Sequence, residues 1–90
     1  VKKVVQVTEV EGEGLVGLLG QRVVLYCLNY IYTGTLTGVN QTCVLLEDAA
    51  IVYETGAHDA KKFADAQHVG QDLYVSTGAI ESFSKTEKTC

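Results

Sequence analysis

Apolar residues along this chain cluster in short runs separated by single polar turns, and the period of each run predicts its element. Val1 to Val10 alternates loosely through Val5, Val7 and Val10 until Gly12 and Gly14 interrupt it, which predicts a weak strand or an N-terminal arm over 1–13. "GLVGLLG", Gly14 to Gly20, is apolar but broken by glycine, so it supports one or two helical turns ending at Gly20. "RVVLYCL", Arg22 to Leu28, is β-branched and aromatic with apolar residues on both faces, the pattern of a strand kept from water on both sides. Asn29 supplies a turn into "YIYTGTLTGV", Tyr30 to Val39, and these two runs read as a hairpin. A polar turn, Asn40 to Thr42, leads into "CVLLEDAAIVYE", Cys43 to Glu54, a long third strand with a bend expected at Asp48 to Ala50.

The second half is less regular. "AHDAKKFADAQ", Ala57 to Gln67, is rich in alanine and lysine with one large apolar residue, Phe63, and predicts a short surface helix or an ordered loop. "DLYVSTGAIESFS", Asp72 to Ser84, places a Ser-Thr-Gly turn between two short apolar runs and predicts two further strands. The polar tail, 85–90, is expected to fray. Gly34 and Gly38 lie four apart in the second strand, which removes side chains where a strand must bend or be closely approached. Five short strands with one so bent predict a mainly all-β fold, a small and strongly curved antiparallel barrel, with an inserted connection at 56–70. Its edges invite pairing with further copies of the chain.

Size and charge narrow the function. Ninety residues suit one domain over 1–90, near the size at which a single core needs help from partners. No apolar run approaches the roughly 20 residues that cross a bilayer, and no export signal stands out, so a cytoplasmic protein without a membrane partner is expected. Cys27, Cys43 and Cys90 are odd in number and lack metal-ligand spacing, which argues for free thiols and against disulfides or zinc. A net charge of −4 argues against a broad electrostatic grip on phosphate, so any nucleic-acid contact has to come from a local site or from stacking. His58, Asp65 and His68 flank the candidate helix, where Asp65 and His68 form an i, i+3 pair that could meet on one face, but a metal would need a third ligand held rigidly nearby, and Glu47 and Asp48 have no evident acid–base partner. No catalytic residue, metal or cofactor is therefore assigned. "STG", Ser76 to Gly78, reads as a hairpin turn and not as a phosphate loop, and the pairs Lys2–Lys3 and Lys61–Lys62 read as solvated surface.

The stretch "LLGQRVVLYCLNYIYTGTLTGVNQTCVLLEDA" resembles the Sm-like proteins, the family that includes the bacterial Hfq branch. Gly34 falls at the family's glycine in the bent second strand, Asn40 at its turn aspartate, and Val44 to Leu46 in its third strand. A weaker match follows in "LYVSTGAIESF", so the resemblance spans roughly Leu15 to Ser84 apart from the connection Gly56 to Gly70. It implies an Sm-like barrel, a homomeric ring of about five to seven subunits, and single-stranded RNA as partner in a non-catalytic chaperone or processing role. The turn Asn40 to Cys43 has the length of the Hfq pattern, with Gln41 on its glutamine, but Thr42 stands where an aromatic is common. Ser76, Thr77 and Gly78 stand where the family carries Arg-Gly or Lys-His, so the cation of a uridine pocket is missing.

The resemblance thus implies Asn40, Gln41, Thr42, Ser76 and Thr77 as one candidate RNA site and Tyr30 with Tyr32 as another. Tyrosines two apart in a strand serve equally for cross-strand packing or a subunit interface. A structural or protein-interaction ring without RNA binding is the alternative function.

Overall fold

The computed structural model describes residues 14–89, so the predicted N-terminal arm lies outside the described residues. The fold is mainly β, with a single helical turn, α1 (Gly14–Gly17), leading into six strands. These are β1 (Arg22–Cys27), β2 (Ile31–Val39), β3 (Cys43–Glu54), β4 (Asp65–His68), β5 (Leu73–Ser76) and β6 (Ile80–Lys85), with a 3-10 turn at Thr77–Ala79 between the last two. All pairings are antiparallel in one sheet of order β4-β3-β2-β1-β6, and β5 also pairs with β3. β3 is long enough to serve two neighbours on one side: Cys43 to Leu46 pairs with β5, and Ala50 to Glu54 pairs with β4. No ladder joins β5 to β6, so the sheet is curved but not closed.

The bend in β3 falls where the sequence places it. Asp48 adopts φ 52°, the left-handed region that aspartate tolerates better than most residues. The β2–β3 register slips between Thr33/Ala50 and Thr35/Glu47, so Asp48 and Ala49 together face Gly34 across a bulge. A Cβ on Gly34 would lie 2.9 Å from the Glu47 carbonyl oxygen, 3.1 Å from Leu46 Cβ and 3.3 Å from Ala49 Cα. The bulge presses backbone against Gly34, which explains why this position has no side chain. Gly38 differs, because a second register slip next to it, between Leu36 and Gly38, leaves its Cβ position with only Leu45 Cβ, 3.3 Å away.

Curvature gives the sheet an inner core made by almost every element. Val23 and Leu25 of β1, Leu36 of β2, Val44, Leu46 and Ala49 of β3 and Val75 of β5 are buried together, with Leu15 and Leu18 packed against them from the N-terminal segment. Thr33 is the one buried polar side chain among the described residues, and its hydroxyl donates to the Val23 carbonyl oxygen at 2.9 Å. On the opposite face of β1, Val24 joins Val52 and Phe63 in a second, smaller cluster. Val23, Val24 and Leu25 are all buried, as the two-faced apolar run predicts, but Tyr26 is exposed and Leu28 lies exposed beyond the strand's end, so the run is kept from water on both sides only in its first half.

Three expectations are corrected. The described residues form six strands where five were expected, and the sheet does not close into the predicted barrel. No helix forms over Ala57 to Gln67: residues 57–64 are a connection and Asp65–His68 pairs along β3. Phe63 is the physical reason, since burying it against Val24 and Val52 outweighs the modest helix preference of the flanking alanines and lysines. The tail does not fray through Thr89, because residues 86–89 hydrogen-bond back to the connection and to β1.

Candidate nucleic-acid interface

The turn Asn40 to Cys43 is built by one side chain. Asn40 Oδ1 accepts from the backbone N–H of Thr42 at 2.8 Å, from Thr42 Oγ1 at 3.0 Å and from the backbone N–H of Cys43 at 2.9 Å. This is an Asx turn, the local reason an asparagine suits the position. The Ser76–Gly78 turn is stapled to it: Thr77 donates its N–H to the Thr42 carbonyl at 3.0 Å and its hydroxyl to the Gln41 carbonyl at 2.9 Å. Pairing of Cys43 with Ser76 at the start of the β3–β5 ladder holds the two turns side by side. The fold therefore unites the two loops the sequence marks out. It also commits the Asn40 oxygen, the Thr42 hydroxyl and the Thr77 hydroxyl to internal bonds, while Gln41 and Ser76 are exposed at this corner.

The two tyrosines stand elsewhere on the same end. Tyr30 and Tyr32, together with Leu28, Tyr74 and Ser76, line a cleft of about 260 Å³ whose floor includes Cys27 and Val75. Of the seven candidate residues, Tyr30, Tyr32 and Ser76 line this cleft, while Asn40, Gln41, Thr42 and Thr77 form the neighbouring stapled turns. The rings of Tyr30 and Tyr32 are 6.1 Å apart and tilted by 49°, an aromatic pair in contact with each other. A base cannot be sandwiched between rings so inclined, so it would stack on the outer face of Tyr30, which is 50% exposed.

Tyr74 completes the aromatic lining and is 69% exposed. Tyr74 is not among the candidates that the resemblance implies, although its signal is local: in Leu73-Tyr74-Val75 the strand period of two sends Val75 into the core and Tyr74 outward.

The cleft is apolar in character. Burial is the main influence that pushes the Tyr32 phenol above its ordinary value, with Cys27 and Tyr30 adding to it. Burial likewise raises the Cys27 thiol, followed by the negative charge of Glu81. Both groups are thereby held neutral. Among the described residues no Lys or Arg lines the cleft. Arg22 pairs with Asp48 at 3.3 Å, and Lys88 is bound to backbone carbonyls of the connection.

The remaining polar constellations do not converge on a centre. Asp65 and His68 sit at the two ends of a strand, where residues three apart point to opposite faces, so the helical pairing considered for them does not occur. Among the described residues no group of three or more His, Cys, Asp or Glu side chains is placed to hold a metal ion. His68 instead approaches Asp48 at 3.8 Å beside a cleft of about 300 Å³ bordered by Asp72, a juxtaposition made by the β3–β4 ladder and invisible in sequence spacing. No described helix is long and apolar enough to cross a membrane.

No protein-family model matches the chain, and no curated protein matches it at a significant level.

Proposed function

We propose that the chain is an Sm-like ring protein that binds single-stranded RNA by base stacking, in a non-catalytic chaperone or RNA-processing role. The observation that carries this reading is the convergence of Tyr30, Tyr32 and Tyr74 on one apolar cleft beside the stapled turns. Each base stacked on an aromatic ring contributes about 1–3 kcal/mol and requires no cation, which suits a protein of net charge −4. Assembly is supported by the free strand edges. Among the described residues β4 and β5 each pair only with β3 and β6 only with β1, and Tyr74 of β5 and Phe83 of β6 are exposed. β3 itself offers no edge over its paired length, since β2 occupies one side and β5 and β4 the other. The edges left for pairing with further copies are therefore those of β4, β5 and β6.

The test is binding of labelled oligo(A) and oligo(U) to the purified oligomer of checked size at two salt concentrations. Stacking without cations predicts saturable binding whose affinity changes little with salt, in contrast to the steep decline of phosphate-driven binding. Tyr30→Ala should weaken it at least about tenfold, the loss of roughly 1.4 kcal/mol, without changing the oligomeric state.

One observation favours a second reading. Among the described residues the cleft is lined by aromatic and apolar side chains without Lys, and aromatic residues are enriched and Lys depleted in protein-docking interfaces. A well-formed ring that binds neither oligonucleotide at low salt would establish the protein-interaction ring in place of the RNA-binding one.

A further inference from the structure

The connection 55–64 lies across the outer face of the sheet, yet little in its own composition holds it there. Among residues 58–62 every side chain except that of Ala60 is exposed, and Phe63 is the connection's one buried anchor, packed on Val24 and Val52. Its ties run instead to residues 86–89. The Phe63 N–H donates to the Thr89 carbonyl at 3.0 Å, and the Thr89 N–H donates to the Lys61 carbonyl at 3.1 Å, so Lys62 and Thr89 form a short parallel bridge. Lys88 Nζ donates to the carbonyl oxygens of Thr55 at 3.1 Å and Ala57 at 2.8 Å and stands 5.6 Å from the Phe63 ring centroid. The segment is anchored in turn by the Thr86 N–H on the Arg22 carbonyl, 3.0 Å, and turned by the Lys88 N–H on Thr86 Oγ1, 3.1 Å.

We infer that residues 86–89 are a latch, keyed by the Lys88 ammonium, that holds the connection closed over the second apolar cluster and whose release exposes Val24 and Val52 on the sheet's outer face. One ammonium satisfies two carbonyls of a segment that has no ladder of its own and lies over the aromatic ring that the segment buries. Charge-assisted hydrogen bonds of this kind are stronger than neutral ones, and a cation over an aromatic face adds attraction. The latch is otherwise polar, so opening it uncovers apolar surface of the connection and sheet without disturbing the inner core of Val23, Leu25, Leu36, Val44 and Leu46. A segment held by few buried contacts opens locally, below the free energy of global unfolding. The latch does not depend on RNA binding.

The test is amide hydrogen exchange on the full chain and its Lys88→Gln variant, with Lys88→Arg as a charge-preserving comparison. The expected result is exchange at least about tenfold faster at the Phe63 and Thr89 amides in Lys88→Gln, partial protection in Lys88→Arg, and unchanged exchange in β1 and β2. Trypsin should then cut after Lys61 or Lys62 in Lys88→Gln before it cuts the sheet. Unchanged protection at Phe63 and Thr89 would overturn the inference, because the connection would then be held by Phe63 packing alone. Equal acceleration in β1 and β2 would overturn it too, since the segment would belong to the global fold and not to a separable latch.

Discussion

Replacing Gly34 with alanine tests the close approach that organises the bent half of the sheet. The added Cβ would meet the Glu47 carbonyl oxygen at 2.9 Å, Leu46 Cβ at 3.1 Å and Ala49 Cα at 3.3 Å. Two of these three neighbours are backbone atoms in a bulge set by the left-handed Asp48, so relief requires moving β3 and not merely rotating a side chain. Overpacking of this kind costs about 1–3 kcal/mol, while stiffening the unfolded chain by Gly→Ala returns about 0.4–1 kcal/mol. The net loss is about 1.5 kcal/mol, or a fall in melting temperature of roughly 6–12 °C for a domain of this size. Gly38→Ala is the matched control, because its Cβ meets only the Leu45 side chain at 3.3 Å. That neighbour can yield by a few tenths of an ångström, so the change should stay within about 0.5 kcal/mol of neutral. Thermal and urea unfolding followed by circular dichroism, at matched protein concentration because assembly shifts apparent stability, reads both variants. A Gly34→Ala protein as stable as the parent, or one less perturbed than Gly38→Ala, would refute the steric account of the bend.

Thr33→Val keeps the shape of a fully buried side chain but deletes its 2.9 Å hydrogen bond to the Val23 carbonyl. A loss of about 0.5–1.5 kcal/mol is expected in the urea midpoint, and equal or greater stability would mean the bond contributes nothing net. Burial raises both the Cys27 thiol, ordinarily 9.0, and the Tyr32 phenol, ordinarily 10.0, so the folded state favours their neutral forms. Their contribution is complete below those ordinary values and declines as pH rises through the raised ones. Stability should therefore fall from about pH 9 upward, and Tyr32→Phe should flatten the upper part of that fall; a parallel decline in the variant would exclude Tyr32 as a source.

The hairpin, the polar turn and the long third strand were legible because each rests on local chemistry. β-branched runs favour extended backbone, Asn40 turns the chain with its own side chain, and Asp48 marks the bend by tolerating a positive φ. Tyr30, Tyr32 and the two turns became candidates through the resemblance to Sm-like proteins and not through these local signals. The fourth strand was not legible. Its residues, "DAQH", carry no apolar alternation, and they form a strand only because β3 offers them an edge.

What the sequence alone determined is the all-β character, the order of the central strands and the position of the bend, since these follow from side-chain shape and hydrogen bonding within a few residues. Tertiary structure decided everything that depends on distant segments meeting. It brought Tyr74 of β5 to the cleft of Tyr30 and Tyr32, stapled Thr77 to the Asn40 turn, placed His68 beside Asp48, and folded residues 86–89 onto the connection with Lys88 between Thr55 and Ala57. It also left the sheet unclosed, because the pairing of β5 with β3 and of β6 with β1 is settled by which apolar faces can be buried together on one curved sheet.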